Sequence, residues 1–115
     1  MKREIESKLL GAMLMDSDVC KSATEQLVAF DFKARGHVII FAMIDGLVKK
    51  KKAVDIITVA KNLAKNKWLE EIGGMWKLTK CLSIAYTPDE SNYYIEQMQK
   101  SRKEHVREWL KVYRK

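Results

Sequence analysis

The sequence has one proline and two cysteines, Cys20 and Cys81, among its 115 residues. Two thiols without a CxxC pair supply neither a zinc cage nor a disulfide framework, so we expect both to be reduced and partly buried. The strongest apolar run, Val38 to Ile44, is far shorter than the roughly twenty residues that cross a membrane. The first residues also lack the uninterrupted apolar stretch and cleavage site of a signal peptide. We therefore expect a cytoplasmic protein with no membrane partner.

Signals of catalysis are also scarce. The five glycines include one adjacent pair, Gly73 and Gly74, whereas a phosphate-binding loop needs several glycines with a lysine and a hydroxyl at fixed spacing; the pair predicts a tight turn instead. His37 lies on an apolar helical face without an adjacent nucleophile or acid, which is typical of a structural histidine. His105, among charged neighbours, is expected to face solvent or a partner helix. The sequence therefore predicts no catalytic, cofactor-binding or metal-binding residue.

What the sequence does have is helical periodicity. Apolar residues make up 47% of the chain and charged residues 32%, a globular composition. Apolar residues recur at three- and four-residue steps, and no stretch alternates with a period of two. Asp55 is expected to cap a short helix, and residues 87–90 form a capping box ahead of a long final helix. The pattern predicts an all-α fold with helices over about 4–15, 19–29, 37–48, 56–63, 75–84 and from 90 onward.

The positive charge is concentrated at the C-terminal end. Residues 100–115 hold seven basic and two acidic side chains, whereas the preceding residues hold fifteen and thirteen. A basic helix with aromatic anchors could pack on a twin, on an acidic partner or across a DNA backbone, and Trp and Tyr favour a protein partner. The predicted dimer or partner contacts are Met98, Val106, Trp109, Leu110 and Tyr113. Candidate polyanion contacts, a secondary expectation, are Lys49, Lys50, Lys51, Lys52, Arg102, Lys103 and Arg107.

Four short motifs follow one another along the predicted helices. They are LGAMLMD at residues 10–16, Phe30-Asp31-Phe32 followed by His37, Ile40 and Phe41, VDIITV at 54–59, and LEEIGG at 69–74. In this order and spacing the chain resembles the N-terminal domain of DnaB-type bacterial or phage replicative DNA helicases. One departure is the basic segment Lys51-Lys52-Ala53-Val54, where the family usually has a Gly and Pro turn.

The resemblance implies a small multi-helix bundle over residues 1–92. Residues 93–115 would then form a long basic amphipathic helix, the first arm of a helical hairpin and the dimer contact. In the family such domains pair through their hairpins and form a collar in the hexameric helicase. They also dock the C-terminal domain of primase and, in some systems, a helicase loader. The implied function is non-catalytic, in self-association and partner docking during DNA replication in the bacterial or phage-infected cytosol.

Other interpretations remain open at this stage. The sequence contains no ATPase motif, so ATP and magnesium would be relevant only if a helicase domain followed in a parent protein. The chain could be an excised domain or a stand-alone relative. A stand-alone phage or mobile-element protein could mimic the domain and modulate a host helicase, loader or primase. A weaker alternative is a DNA-binding module that uses the basic final helix.

Overall fold

The chain folds into a bundle of short helices followed by one long helix. The structure is a computed structural model and describes residues 3–83 and 90–113. Those residues contain α-helices and a 3-10 turn but no strand. This confirms the predicted all-α fold. None of the described helices is long and apolar enough to span a membrane. The helices are α1 (Arg3–Met15), α2 (Ser17–Gln26), α3 (Arg35–Lys49), α4 (Ile56–Lys65), α5 (Met75–Ser83) and α6 (Ser91–Tyr113), and the 3-10 turn is Ala29–Asp31.

Two aspartates fix where helices begin. The Asp16 carboxylate accepts the backbone N–H of Asp18 at 2.9 Å and so caps α2. The Asp55 carboxylate accepts the Thr58 N–H at 2.7 Å and caps α4, as predicted. That hydrogen bond lowers the pKa of Asp55 because it favours the charged form. The capping box predicted for residues 87–90 falls mainly outside the described residues.

The helices α3 and α4 end in the same way, with a lysine in the left-handed backbone region. Lys51 has φ 58° and Lys67 has φ 62°. After α3, the N–H groups of Lys51 and Lys52 return to the carbonyl oxygens of Val48 and Leu47 at 3.0 and 2.9 Å. This is the Schellman arrangement, in which glycine is usual because a Cβ strains the left-handed residue. The basic turn after α3 therefore adopts the left-handed backbone geometry that is usual for glycine, although a lysine occupies the position.

The core forms where α1 meets the other helices. Leu9, Leu10 and Met13 of α1 and Ile40 and Ile44 of α3 are no more than 1% exposed. α1 makes its most extensive contacts with α5 and α2 and also packs against α3 and α6. Gly73 and Gly74, both at positive φ, form the predicted turn before α5. α4 packs mainly against α3 and α5, so α1 is central to the other four helices.

The final helix, α6, is continuous from Ser91 to Tyr113. The predicted division into residues 1–92 and 93–115 therefore places the first two residues of α6 in the globular part. Tyr94, Ile95 and Met98 are at most 3% exposed and belong to the core. We therefore call residues 3–83 and 90–102 the head and residues 103–113 the distal arm.

Candidate functional site

The distal arm continues a helical face that is buried in the head. On α6, Ser91, Tyr94, Ile95 and Met98 lie at three- and four-residue steps and face the core. The same steps lead to Val106 and Trp109 beyond the head. Every residue of the distal arm whose side chain is described is exposed. The apolar stripe of α6 therefore continues beyond the part of the head that buries Ser91 to Met98.

The exposed apolar side chains of the distal arm are large. Val106 is 42% exposed, Trp109 54%, Leu110 39% and Val112 69%. Val106, Trp109 and Leu110 were predicted as partner contacts, whereas Val112 was not. Tyr113, predicted with them, is described only in its backbone. Met98, which was also predicted as a partner contact, has no exposed surface and packs in the core of the head.

A buried ion pair fixes the base of the distal arm. The Arg102 guanidinium donates from Nε to Asp31 Oδ1 and from Nη2 to Asp31 Oδ2, each at 2.5 Å. The Asp31 side chain has no exposed surface, and its Oδ2 also accepts the Val28 N–H at 2.8 Å. Arg102 Nη2 reaches the Gln26 carbonyl oxygen as well, at 3.1 Å. The hydrogen bonds from the Arg102 guanidinium to Asp31 raise the pKa of Arg102.

The geometry gives Arg102, a candidate polyanion contact in the sequence analysis, a partner within the chain. Its two donor groups are already directed at a buried carboxylate, and bidentate pairing of this kind fixes orientation as well as charge. The sequence held a signal for the pair, since Asp31 lies inside the Phe30-Asp31-Phe32 motif. The partner was not evident because Arg102 is 71 residues away. Arg102 is therefore a positioning residue for the distal arm.

A second buried polar cluster lies at the beginning of α3. The His37 Nδ1 and Glu6 Oε1 atoms are 2.9 Å apart, and Ser7 Oγ lies 3.1 Å from His37 Nε2. Glu6 also accepts the backbone N–H groups of Lys33 and Ala34 at 2.9 and 3.3 Å. Burial acts to raise the pKa of Glu6, but the bonds from His37 and the two backbone groups outweigh it and lower that pKa.

This cluster is structural, as expected for His37. Glu6 and His37 are at most 1% exposed, so neither can meet a substrate. Sequence reasoning missed Glu6, although it lies on the same apolar face of α1 as Leu9, Leu10 and Met13. A lone carboxylate on such a face indicates a buried partner.

The other candidate polyanion contacts lie in two separate places, at the end of α3 with the turn that follows it and on the distal arm. Lys49 pairs with Asp45 at 2.8 Å, while Lys50, Lys51 and Lys52 are exposed in the turn after α3. Lys103 and Arg107 are exposed on the distal arm, where Glu104 and Glu108 alternate with them. Within residues 3–83 and 90–113, no group of three His, Cys, Asp or Glu side chains could hold a metal ion.

Comparison with known proteins matches nearly the whole chain to one family, the DnaB-like helicase N terminal domain, over residues 1–100. The chain is 33% identical over 91 residues to the replicative DNA helicase DnaB of Geobacillus stearothermophilus and 32% identical over 91 residues to the replicative DNA helicase DnaC of Bacillus subtilis (strain 168). Each alignment covers 79% of this chain and 20% of the helicase. The chain thus spans about a fifth of the length of these relatives.

Structural comparison gives the same result. The crystal structure of the N-terminal domain of DnaB helicase from Mycobacterium tuberculosis superposes with a TM-score of 0.80 and 28% sequence identity. The match covers 85% of this chain and 70% of that one. Sequence and structure agree, and the chain belongs to the family of DnaB-like helicase N-terminal domains.

Proposed function

We propose that this domain is a non-catalytic oligomerisation and docking module of a replicative DNA helicase in the bacterial or phage-infected cytosol. Two copies pair through their distal arms, and the pairs contribute to a collar. The observation that carries the proposal is the apolar stripe of α6, which is buried on the head and then continues through Val106 and Trp109, which are 42% and 54% exposed to solvent. A stripe of this kind on a helix lacks stability of its own and needs a packing partner.

The size and charge of the distal arm suit a second copy. Its eleven residues span about 16 Å at the rise of an α-helix. Burial of exposed side chains such as Trp109 and Leu110 would contribute about 1–3 kcal/mol each, before the cost of association. Lys103 and Arg107 alternate with Glu104 and Glu108, so two arms can bring opposite charges together at the edges of the apolar contact. Self-association therefore needs no other partner to balance the charge.

The proposal extends to the partners that the family resemblance implied. The relatives named above are replicative helicases, and we propose that the paired domains dock the C-terminal domain of primase or a helicase loader. Pairing would present two heads in a fixed relative orientation, because the Asp31–Arg102 pair holds each arm to its head. Docking on paired heads would then depend on the same arm residues as self-association.

The first test is the concentration dependence of the solution mass. Trp109→Ala removes the largest exposed side chain of the distal arm and is expected to raise the dimer Kd about tenfold or more, the effect of losing a central aromatic anchor. Sedimentation equilibrium over a dilution series measures it. The matched control is Trp76→Ala, which removes a tryptophan from α5 that is 68% exposed, compared with 54% for Trp109, and should leave the mass unchanged. A wild-type mass that stays monomeric, or equal effects of both variants, would contradict pairing through the arm.

The proposed docking of primase or a loader is tested by a binding measurement. Isothermal titration of the chain with the C-terminal domain of primase, and separately with a loader, should give a lower affinity for Trp109→Ala than for Trp76→Ala. Equal affinities for the two variants would show that docking does not use paired arms. If neither partner gives a binding signal, docking of primase and of a loader is contradicted, and only the proposed self-association stands.

A further inference from the structure

The head has an apolar groove on α3 that is separate from the distal arm. It has a volume of about 410 Å³ and lies between α3 and the second half of α4. Its α3 side carries Val38, Ile39, Ala42, Met43, Gly46 and Lys50, spaced so that they share one helical face. Asn62, Asn66 and Trp68 form the opposite wall. From Val38 to Lys50 the face spans about 18 Å, enough for three turns of a docked helix.

Gly46 keeps the middle of this groove open. It lies inside α3, where a glycine is less favourable than alanine by roughly 0.5–1 kcal/mol because of its backbone freedom. A Cβ built at Gly46 meets nothing within 4 Å. The glycine is therefore not required for packing within the head, and the space that it leaves opens directly into the groove. A bare helix surface of this kind allows close approach of another chain.

The charge around the groove selects the occupant. Lys50 and Lys52 line its end, and Lys51 is exposed beside them. No Asp or Glu is among the described residues that line it. The distal arm of a second copy holds three basic and two acidic side chains, so it would bring a small net positive charge to these lysines, which disfavours the pairing. The groove therefore suits an acidic segment better than it suits the distal arm.

We propose that the α3/α4 groove docks an acidic amphipathic helix of a partner protein. Apolar side chains at helical spacing would contact Met43 and the open surface at Gly46, and a carboxylate near one end would meet Lys50 and Lys52. Trp68, which is 43% exposed, would close over the docked helix, because large aromatic side chains act as anchors at such contacts. This is a recognised mode of peptide binding, in which a helix inserts its apolar face into a groove.

The test uses the full chain and a defined probe. The probe is a synthetic helical peptide of about twelve residues, with leucines along one face and glutamates elsewhere. A second peptide has lysines in place of the glutamates. In an NMR titration of the isotope-labelled protein, the acidic peptide should shift the amide signals of Met43, Gly46 and Asn66 with a Kd below about 1 mM. The lysine peptide should shift none of them.

Variants at Gly46 distinguish a loss of peptide binding from a loss of stability. Gly46→Leu fills the groove and should weaken binding of the acidic peptide at least tenfold. Its melting temperature should not fall, since leucine favours the helix and a Cβ there has free space. Gly46→Ala is the matched control and should raise the melting temperature slightly while changing the Kd less than about threefold. The double variant Lys50→Glu and Lys52→Glu should abolish binding of the acidic peptide. The control Lys100→Glu on α6 should leave that binding unchanged.

Several outcomes would overturn the proposal. They are the absence of shifts with the acidic peptide up to about 1 mM, equal shifts with the lysine peptide, and shifts at the same amides with a single-stranded oligonucleotide. A change in solution mass for Gly46→Leu would instead assign the groove to contacts between copies. None of these results affects pairing through the arm, because Trp109→Ala should leave peptide binding unchanged.

Discussion

Arg102 of α6 holds the buried carboxylate of Asp31 through two parallel hydrogen bonds of 2.5 Å. The burial is unequal: the Asp31 side chain has no exposed surface, whereas Arg102 is 34% exposed. A carboxylate that loses this partner stays buried as an uncompensated charge, while a guanidinium that loses its partner can be hydrated. The two halves of the pair should therefore respond differently to removal.

The first prediction concerns that asymmetry. Arg102→Met should lower the free energy of unfolding by about 3 kcal/mol, because it leaves the Asp31 carboxylate without its cation. Asp31→Asn should lower it by only about 1–2 kcal/mol. Urea unfolding measures both, with Lys100→Met as an exposed control on the same helix. A larger loss for Asp31→Asn than for Arg102→Met would contradict the assignment of the buried charge.

The second prediction concerns pH. The pKa of Glu6 is lowered from 4.5 in the folded state, so the folded chain binds fewer protons than the unfolded chain in this range. The stability from Glu6 is thus fully present above about pH 5 and is lost as the pH falls through the folded pKa. Glu6→Gln should flatten this acid slope and also cost about 1–3 kcal/mol near neutral pH. Urea unfolding between about pH 3 and pH 7 measures both effects.

A variant of another carboxylate controls for general acid effects. Glu96→Gln changes an exposed residue of α6 and should leave the acid slope unchanged. The same slope in Glu6→Gln as in the wild type would show that other groups determine the acid sensitivity.

The third prediction concerns the strained lysine after α4. Lys67, at φ 62°, should be replaced favourably by glycine, and Lys67→Gly is expected to stabilise the chain by about 1 kcal/mol. The control, Lys65→Gly, places the same residue in the last turn of α4 and should destabilise by about 0.5–1 kcal/mol. Thermal melts of both variants measure the difference. Melting temperatures that fall by equal amounts would contradict the left-handed geometry at Lys67.

The fourth prediction concerns the thiols. Both cysteines are free and buried. Burial raises the pKa of Cys20 to about 11, with a smaller contribution from Asp45, and burial also raises the pKa of Cys81. At about pH 8 only about one Cys20 thiol in a thousand is ionised, and the thiolate is the reactive form.

Alkylation should therefore be slow in the folded protein and fast in urea. Mass spectrometry of the native chain during iodoacetamide treatment should show neither cysteine modified on the timescale in which the unfolded chain reacts fully. Rapid modification of Cys20 without denaturant would show that α2 opens locally and exposes it.

Much of the fold was evident in local sequence patterns. Helix periodicity predicted the α-helices, Asp55 predicted the cap of α4, and the Gly73-Gly74 pair predicted the turn before α5. Each of these depends on residues within a few positions of one another. The Phe30-Asp31-Phe32 motif and its companions also indicated the family correctly. The polar contacts that cross the head could not be derived in this way, because Glu6 meets His37 and Asp31 meets Arg102 across long stretches of chain.

The candidate contact residues of α6 were predicted from helical spacing alone. Sequence placed Val106, Trp109 and Leu110 on one helix but also assigned Met98 to the same exposed surface. All four share helical spacing, and periodicity cannot tell which half of a long stripe the head covers. Only the packing of α1, α2 and the 3-10 turn against α6 sets that limit, near Arg102.

The sequence by itself determined the helical class, the family and the basic amphipathic character of α6, since these follow from composition, periodicity and motif order. The tertiary structure alone decided which face of α6 is covered, which charges are buried and where a groove opens on α3. The reason is physical: a helix has the same periodicity whether its apolar face meets a core or solvent. Burial depends on elements that are distant in sequence and close only after folding.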